Sequence, residues 1–135
     1  MKILVTSSSF LDTPGEHLTE LARSGLEVIP ARGPLKSEMI RELVTTRGPF
    51  DGILCGEDDL DGSALESLKP QLKVISKYGV GLDRIDSKRA EELKIPVFNT
   101  PGSNHVTVCE LTFGLMLSLV RNIPKHNSEM HAGVW

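Results

Sequence analysis

The chain contains five short apolar runs that begin about two dozen residues apart, and this spacing constrains the fold more than any other feature. The runs are KILVT from Lys2, LEVIP from Leu26, FDGILC from Phe50, KVISKY from Lys73 and IPVFN from Ile95. Most are continuous apolar stretches rather than alternating ones, which is typical of strands covered on both faces. The sequence therefore predicts five parallel β-strands.

Capping residues, prolines and glycines divide the intervening segments into helices. The predicted helix starts are the capping boxes Thr13-Pro14-Gly15-Glu16 and Ser63-Ala64-Leu65-Glu66, together with Ser37 and Asp86. Strands that alternate with helices indicate right-handed βαβ units. We therefore expect an α/β fold: a flavodoxin-like open parallel five-stranded sheet with helices on both faces, followed by a long apolar C-terminal helix.

The last third of the chain predicts a different kind of structure. Ser103 or Asn104 opens a helix that reads HVTVCELTFGLMLSLVRN and is apolar on almost every face, as in a buried helix or one packed on a partner. The apolar stretch 106–120 is shorter than the ~20 residues that span a bilayer, so we expect no membrane span. We expect a domain over residues 1–102, a linker and dimerisation segment over 103–135, and a homodimer through helix 104–121.

Charge and cysteine content limit the possible partners and location. The net charge is -3 and the basic residues are scattered, which disfavours a nucleic-acid binder. Cys55 and Cys109 lie inside apolar runs and predict two buried, reduced thiols. The first ten residues lack the long apolar region of a signal peptide, so we expect a cytoplasmic protein.

The fourth apolar run is followed by KYGVGLDRID, residues 77–86, at the strand end where ligands bind in open parallel sheets. Arg84 stands where the dinucleotide fingerprint G-x-G-x-x-G has its third glycine, so a dinucleotide turn is disfavoured. Gly79, Val80 and Gly81 can instead direct consecutive backbone N–H groups at one carboxylate, with Lys77 adding positive charge. A glycine-rich turn without a ligand is the alternative.

Two further loops follow strands at the same predicted edge. NTPGSN offers the side-chain amides of Asn99 and Asn104, although a helix cap is sufficient reason for Asn104. GEDDLD, residues 56–61, has four carboxylates, and we favour a solvated acidic turn because no histidine lies near enough in sequence to complete a metal site. The four histidines form no constellation, and His105 at the start of the apolar helix is more typical of a structural residue. We expect no metal site.

KYGVGLDRID and FNTPGSNHVTVCELTFGLMLSLVRNIP together resemble the N-terminal, substrate-binding portion of the D-isomer-specific 2-hydroxyacid dehydrogenases, the phosphoglycerate dehydrogenase-like group. The resemblance covers nearly the whole chain. It implies hydride transfer between NAD or NADP and a small 2-hydroxy or 2-oxo acid. It also implies that the 79–81 backbone holds the substrate carboxylate, that Val80 lies near the nicotinamide, and that Asn104 and Thr107 lie near the cofactor cleft.

The sequence departs from the family pattern in ways that limit this expectation. The family's dinucleotide fingerprint and its catalytic arginine, glutamate and histidine follow the region where this sequence stops, so no catalytic residue is assigned. We therefore expect a truncated chain that is inactive alone. GEDDLD replaces a loop that helps to bind phosphate in phosphoglycerate enzymes, and its acidity disfavours phosphoglycerate. The alternatives are a free-standing module that binds a small carboxylate at residues 79–81, and a dimerisation module.

Overall fold

The structure, a computed structural model, describes residues 1–134 and contains a five-stranded parallel sheet. The strands are β1 (Lys2–Val5), β2 (Glu27–Pro30), β3 (Gly52–Cys55), β4 (Val74–Lys77) and β5 (Val97–Phe98). They lie in the order β2-β1-β3-β4-β5, and every neighbouring pair is parallel. This is the flavodoxin-like strand order, and it confirms the predicted fold class.

Seven helices connect or follow the strands within residues 1–134. They are α1 (Ser8–Asp12), α2 (Glu16–Arg23), α3 (Ser37–Arg47), α4 (Gly62–Leu68), α5 (Ser87–Glu92), α6 (His105–Val120) and α7 (Ile123–His131). Helices α1 and α2 lie between β1 and β2, and α3, α4 and α5 each connect one of the following pairs of strands. Helices α6 and α7 follow the last strand.

The helix caps match the prediction at one of four positions. Asp86 caps α5 by accepting a hydrogen bond from the Arg89 amide. The N-cap of helix α4 is Asp61 rather than Ser63, because the Asp61 carboxylate accepts hydrogen bonds from the Ala64 amide and from the Ser63 hydroxyl. The stronger acceptor two residues upstream therefore takes the cap.

The two remaining predicted caps are also wrong. Thr13 ends α1 instead of starting α2, and Gly15 occupies the N-cap position of α2 without a side-chain bond. Ser37 is the first residue of α3, where it donates its hydroxyl to the Asp59 carbonyl. The Ser37 hydroxyl therefore donates to a carbonyl distant in sequence instead of accepting from the amides at the start of its own helix.

The described chain divides into two compact units, the first from Met1 to Pro101 and the second beginning at Gly102. The first unit, called unit 1 below, has one apolar core between the sheet and helices α3, α4 and α5. Its buried members are Leu4, Leu35, Ile40, Phe50, Ile53, Cys55, Leu60, Ala64, Leu65, Leu68, Leu72, Ile75, Ile85, Ala90, Leu93 and Ile95. Continuous apolar strands supply this core, as their composition predicts.

The opposite face of the sheet is less covered over β3, β4 and β5. Leu54, Ser76 and Phe98 form one row across these strands by their register. Leu54 is half-buried, whereas Ser76 and Phe98 are exposed. The two faces of the sheet therefore differ in how completely unit 1 buries them.

The second unit, called unit 2 below, consists of α6, α7 and their flanking turns. The apolar side chains of α6 are exposed, and Cys109, which we predicted to be buried, is exposed as well. Within residues 1–134, no single helix has the length and apolarity to cross a bilayer, although α6 and α7 together meet that criterion across a 62° bend.

Candidate functional site

The loop after β4 has a backbone conformation that requires glycine. Gly79 has φ +142°, which side-chain-bearing residues rarely adopt. A Cβ added at Gly79 would lie 3.2 Å from the Lys77 Cε, so the lysine chain passes directly beneath the loop. Gly79 is half-buried, and Val80 and Gly81 are exposed. The loop is therefore accessible from one side and supported from the other.

The carbonyl groups of Gly79 and Val80 have hydrogen-bond partners, whereas the amides of the loop have none within the described chain. The Asn99 side-chain amide donates to the Val80 carbonyl at 2.8 Å, and the Thr100 amide donates to the Gly79 carbonyl at 3.0 Å. Within residues 1–134, none of the amides of Gly79, Val80 and Gly81 donates to a protein acceptor. The segment after β5 thus holds the loop by its oxygens and leaves its N–H groups free.

Lys77 is buried and already paired. Its side chain is 2% exposed, and its Nζ donates to the Gly56 carbonyl and to the Glu57 carboxylate, each at 2.5 Å. The sequence predicted a positive charge beside the loop, and the charge lies there, but its partner Glu57 was not foreseen. Lys77 therefore lies beneath the loop, and its ion pair with Glu57 neutralises part of its charge.

A cleft of about 330 Å³ opens at the carboxyl ends of β1, β3 and β4, and Tyr78, the residue before Gly79, is part of its lining. Its lining is Thr6, Ser7, Ser8, Ser9, Gly33, Pro34, Gly56, Glu57 and Tyr78. The Tyr78 ring meets the Phe10 ring edge-on at 5.5 Å between centroids. The Tyr78 amide donates to the Cys55 carbonyl, which fixes the start of the loop to the end of β3.

The acidic loop GEDDLD is not the solvated turn that we predicted. Asp58 is 0% exposed and accepts three hydrogen bonds, from the Thr6 hydroxyl at 2.5 Å, the Leu35 amide at 2.7 Å and the Gly56 amide at 2.8 Å. These donors come from the end of β1, from the segment before α3 and from the loop itself. Asp58 therefore joins three loops at the edge of the sheet that carries the cleft.

The remaining carboxylates of the acidic loop also have structural partners. Asp59 pairs with Lys36 and Arg84, each at 2.8 Å, and both cations hold the pKa of its carboxyl below the usual range. Asp61 caps α4, and the polar groups around its carboxylate, the Ser37 side chain first and then the Ala64 amide and the Ser63 hydroxyl, lower its pKa to about 2. No group of three or more potential metal ligands occurs in the part of the chain that the structure describes.

Cys55 does not have the character of a nucleophile. Burial, together with the nearby Asp58 carboxylate, raises the pKa of its thiol to about 12, although the Lys77 charge opposes the shift. A thiol with such a pKa stays protonated near neutral pH. Cys55 is therefore a core residue.

Two of the three residues predicted to lie near the cofactor, Asn104 and Thr107, belong to unit 2, whereas Val80 belongs to unit 1. Asn104 occupies the N-cap position of α6, but its side chain makes no capping bond. Thr107 lies in the first turn of α6 and is exposed. His105 contacts the Gly102 carbonyl through Nδ1, which is a local turn contact. The cofactor roles of Asn104 and Thr107 stay predictions.

The glycine turn does not fit a complete dinucleotide. In a dinucleotide site the turn leads directly into a helix whose N-terminus faces the pyrophosphate. Here residues 82–86 separate the turn from α5, and the Asp86 carboxylate already accepts from the Arg89 amide at that helix start. The loop 79–81 therefore lacks the direct connection from turn to helix N-terminus that a dinucleotide site has.

Comparison with known proteins places these features in a family. The model of the family described as D-isomer specific 2-hydroxyacid dehydrogenase, catalytic domain, matches residues 4–130. A D-3-phosphoglycerate dehydrogenase from Archaeoglobus fulgidus is 31% identical over 136 aligned positions, which cover 100% of this chain and 24% of that protein. The chain thus spans about a quarter of the length of this curated relative.

Solved structures agree with the sequence comparison. A crystal structure of a protein from Thermus thermophilus superposes with a TM-score of 0.83 at 32% identity, covering 100% of this chain and 42% of that one. The NAD+-bound 3-phosphoglycerate dehydrogenase of Entamoeba histolytica superposes with a TM-score of 0.68 at 30% identity, covering 87% of this chain and 38% of that one.

Proposed function

Because the chain belongs to the D-isomer specific 2-hydroxyacid dehydrogenases, a family of oxidoreductases, we propose that it supplies substrate binding for hydride transfer between NAD or NADP and a 2-hydroxy or 2-oxo acid. The chain binds the carboxylate of that acid at Gly79, Val80 and Gly81. The observation that carries this proposal is the set of three free amides in one exposed loop whose carbonyl groups are held elsewhere.

The loop has the physical properties that a carboxylate site requires. A carboxylate accepts several hydrogen bonds, and consecutive amides with a glycine at positive φ form a concave donor surface for such an anion. The carbonyls of Gly79 and Val80 would repel the anion if they shared this surface, but Asn99 and Thr100 bind them. The Lys77 ammonium beneath Gly79 adds an attractive charge in a buried position, and its ion pair with Glu57 offsets part of that charge.

The remaining chemistry of the family requires groups outside the loop. The dinucleotide cofactor supplies or accepts the hydride when it is bound. Residues 1–135 contain no G-x-G-x-x-G sequence, and we assign no catalytic side chain. We therefore propose that this chain is inactive alone, and that Val80, Asn104 and Thr107 contribute to the nicotinamide side of the site only in a complete enzyme.

Titration monitored by amide NMR tests the carboxylate site. Pyruvate and D-lactate are the probes, and we expect the Gly79 and Gly81 amide signals to move with a dissociation constant on the order of 1 mM, as is typical of a small ligand with few contacts. Gly79→Ala introduces a strained φ and a contact with Lys77, so it weakens binding. Gly62→Ala is the control because its added Cβ makes only ordinary contacts.

Two outcomes contradict this proposal. If neither acid moves the amide signals of residues 79–81, the loop is a glycine-rich turn without a ligand. If the purified 135-residue chain oxidises NADH in the presence of pyruvate at a steady rate, the proposed inactivity of the isolated chain is wrong.

We also propose that two copies of the chain form a homodimer through α6. We further propose that the protein is cytoplasmic. The exposed apolar side chains of α6 form a larger patch than monomeric soluble proteins usually carry. Leu115→Glu is expected to shift the light-scattering mass from dimer to monomer, whereas Asn127→Glu, at an exposed polar position of α7, leaves it unchanged. A concentration-independent monomer contradicts the pairing, and co-flotation with lipid vesicles would assign the patch to a membrane surface.

A free-standing carboxylate-binding module is the second candidate function, and the separate core of unit 1 favours it. Such a module binds its acid fully without any other domain, whereas the substrate portion of a dehydrogenase completes its site only with the cofactor-binding part. Calorimetry with a panel of 2-oxo and 2-hydroxy acids separates the two. Micromolar affinity of the isolated chain supports the module, and millimolar affinity supports the dehydrogenase portion.

A further inference from the structure

The two peptide groups that flank Gly56 both bind the chain just before the amide loop. The Lys77 Nζ donates to the Gly56 carbonyl at 2.5 Å, and the Tyr78 amide donates to the Cys55 carbonyl at 2.8 Å. The Cys55 carbonyl belongs to the same peptide group as the Gly56 amide. The orientation of Gly56 therefore sets the position from which the chain enters Gly79.

The buried carboxylate of Asp58 fixes that orientation. Its Oδ2 accepts from the Gly56 amide at 2.8 Å and from the Thr6 hydroxyl at 2.5 Å, and its Oδ1 accepts from the Leu35 amide at 2.7 Å. Asp58 is 0% exposed, so water does not compete for these bonds. Gly56 also lies against the end of β1, since a Cβ added to it would lie 3.3 Å from the Ser7 Cα.

The charge of Asp58 strengthens the next hydrogen bond in the series. A carboxylate that accepts from a peptide N–H polarises the peptide group, and the carbonyl of that group becomes a better acceptor in a low-dielectric interior. The Gly56 amide donates to Asp58, so the carbonyl of the same peptide group binds the Tyr78 amide more strongly. One peptide group thus transmits the effect of Asp58 to the start of the amide loop.

Asp58 and Lys77 are two buried charges of opposite sign at this edge of the sheet. Lys77 is 2% exposed, and both charges act on the Cys55 thiol, where Asp58 raises the pKa and Lys77 opposes the shift. Asp58 is not among the residues that line the cleft. Any effect of Asp58 on a ligand therefore passes through its neighbours.

We propose that Asp58 is a positioning residue for the carboxylate site: through Gly56 it holds Lys77 and the start of the loop 79–81 in the conformation in which the three amides bind an acid. This role rests on the proposed carboxylate site. Hydrogen bonds weaken steeply with misalignment, so three amides bind one anion well only while they converge on it. Loss of Asp58 should therefore weaken acid binding in molecules that remain folded.

Asp51 is a matched control at the other end of β3. It also accepts three hydrogen bonds, from the Lys2 amide, the Gln71 side chain and the Lys73 ammonium, and it is 8% exposed. Asp51 precedes the amino end of β3, whereas the amide loop lies at the carboxyl ends of the strands. Substitution of Asp51 therefore destabilises the same sheet without altering the support of the loop.

Titration of the full 135-residue chain with pyruvate measures the role of Asp58, with the Gly79 and Gly81 amide signals as the readout. Asp58→Ala should weaken binding about tenfold, and Asp58→Asn, which keeps an acceptor but loses the charge, about threefold, as is usual within one hydrogen-bond network. Asp51→Ala and Asp51→Asn should leave the dissociation constant unchanged. Retained chemical shifts of core residues identify the folded variants, and Asp58→Asn decides alone if Asp58→Ala does not fold.

A double-mutant cycle with Lys77→Met tests the route through Gly56. Lys77→Met removes the donor to the Gly56 carbonyl, so Asp58→Asn should weaken pyruvate binding less in that background than in the unsubstituted protein. A residue that only stabilises the fold would not show this coupling. Additive losses would therefore overturn the role of Asp58.

The other outcomes separate this inference from the proposal beneath it. Unchanged affinity in both Asp58 variants, or an equal loss in the Asp51 variants, overturns the positioning role while the carboxylate site stands. If pyruvate moves neither the Gly79 nor the Gly81 signal of the unsubstituted protein, the carboxylate site and the role of Asp58 both fail.

Discussion

Units 1 and 2 differ in where they place their apolar side chains. Unit 1 buries sixteen apolar residues in one cluster between the sheet and three helices. In unit 2 none of the residues of α6 or α7 is buried, although α6 is the more apolar of the two helices. Two phenylalanines summarise the contrast: Phe50 of unit 1 is 1% exposed and Phe113 of α6 is 61% exposed.

This contrast indicates that the two units depend on different sources of stability. Unit 1 gains its stability from burial within itself, at about 25 cal/mol per Å² of apolar surface removed from water. An isolated helix the length of α6 is marginal in water, so α6 needs a surface to pack on. Matched substitutions in the two units test this difference.

The largest expected effect comes from the two phenylalanines. Phe50→Ala leaves a cavity in the core and should lower the free energy of unfolding of unit 1 by about 3–5 kcal/mol. Phe113→Ala, measured at low protein concentration, should leave the urea midpoint of unit 1 equal to that of the unsubstituted protein within experimental error. Urea titration followed by NMR signals of each unit measures both, and equal losses from the two variants would contradict the distinction between the units.

The second effect concerns two adjacent aspartates of the acidic loop. Asp58→Ala leaves the Leu35 and Gly56 amides without their buried acceptor and should cost about 3 kcal/mol. Asp59→Ala removes ion pairs with exposed cations and should cost less than about 1 kcal/mol. Denaturant midpoints give both values, and a loss of similar size at Asp59 would mean that exposed ion pairs also stabilise this edge of the sheet.

A third comparison uses two glycines with the same backbone conformation. Gly25 after α2 and Gly133 after α7 both have φ +71°, and an added Cβ meets nothing within 4 Å at either position in the described chain. Alanine in this left-handed region costs about 1 kcal/mol. Gly25→Ala should therefore lower the unfolding free energy of unit 1 by this amount. Gly133→Ala should only increase fraying of α7, seen as faster amide exchange, and a change in the midpoint of unit 1 would contradict this.

The smallest effect is the acid sensitivity of unit 1. The pKa of Asp61 is lowered from 3.8 to about 2, and the Lys73 ammonium, with help from the Lys2 amide and Gln71, lowers the pKa of Asp51. A carboxylate whose pKa is lower in the folded state than in the unfolded state stabilises the fold at pH values above the unfolded-state pKa. This stabilisation is lost as the pH falls toward the folded-state pKa. The urea midpoint should therefore decline between about pH 4 and pH 2, and less steeply in Asp61→Asn. A flat profile in the unsubstituted protein would contradict this role.

Local sequence patterns were sufficient to predict the five strands and the position of the candidate site. Continuous apolar runs identify strands of a parallel sheet wherever they lie in the chain, and ligand loops follow such strands by topology. The loop 79–81 was found in this way. Its glycines are also informative, since the positive φ of Gly79 is a conformation that few other residues adopt.

The interactions that the sequence analysis missed are all long-range. Asp58 bonds Thr6 and Leu35, which lie 52 and 23 positions away, and Glu57 bonds Lys77 from 20 positions away. A run of carboxylates is typical of a solvated turn unless the fold brings donors to it. Cys109 was wrongly predicted to be buried because the prediction required the apolar helix to be covered.

The hydrogen bonds from Asn99 and Thr100 to the loop 79–81 connect acid binding to the edge strand β5. β5 has only two residues and pairs with β4 alone, so it is an edge strand and the shortest of the five. Asn99 and Thr100, which follow it directly, hold the oxygens of the loop away from the ligand. Whenever β5 detaches from β4 the loop loses that restraint, so ligand affinity and deuterium protection of the outermost strand should rise and fall together.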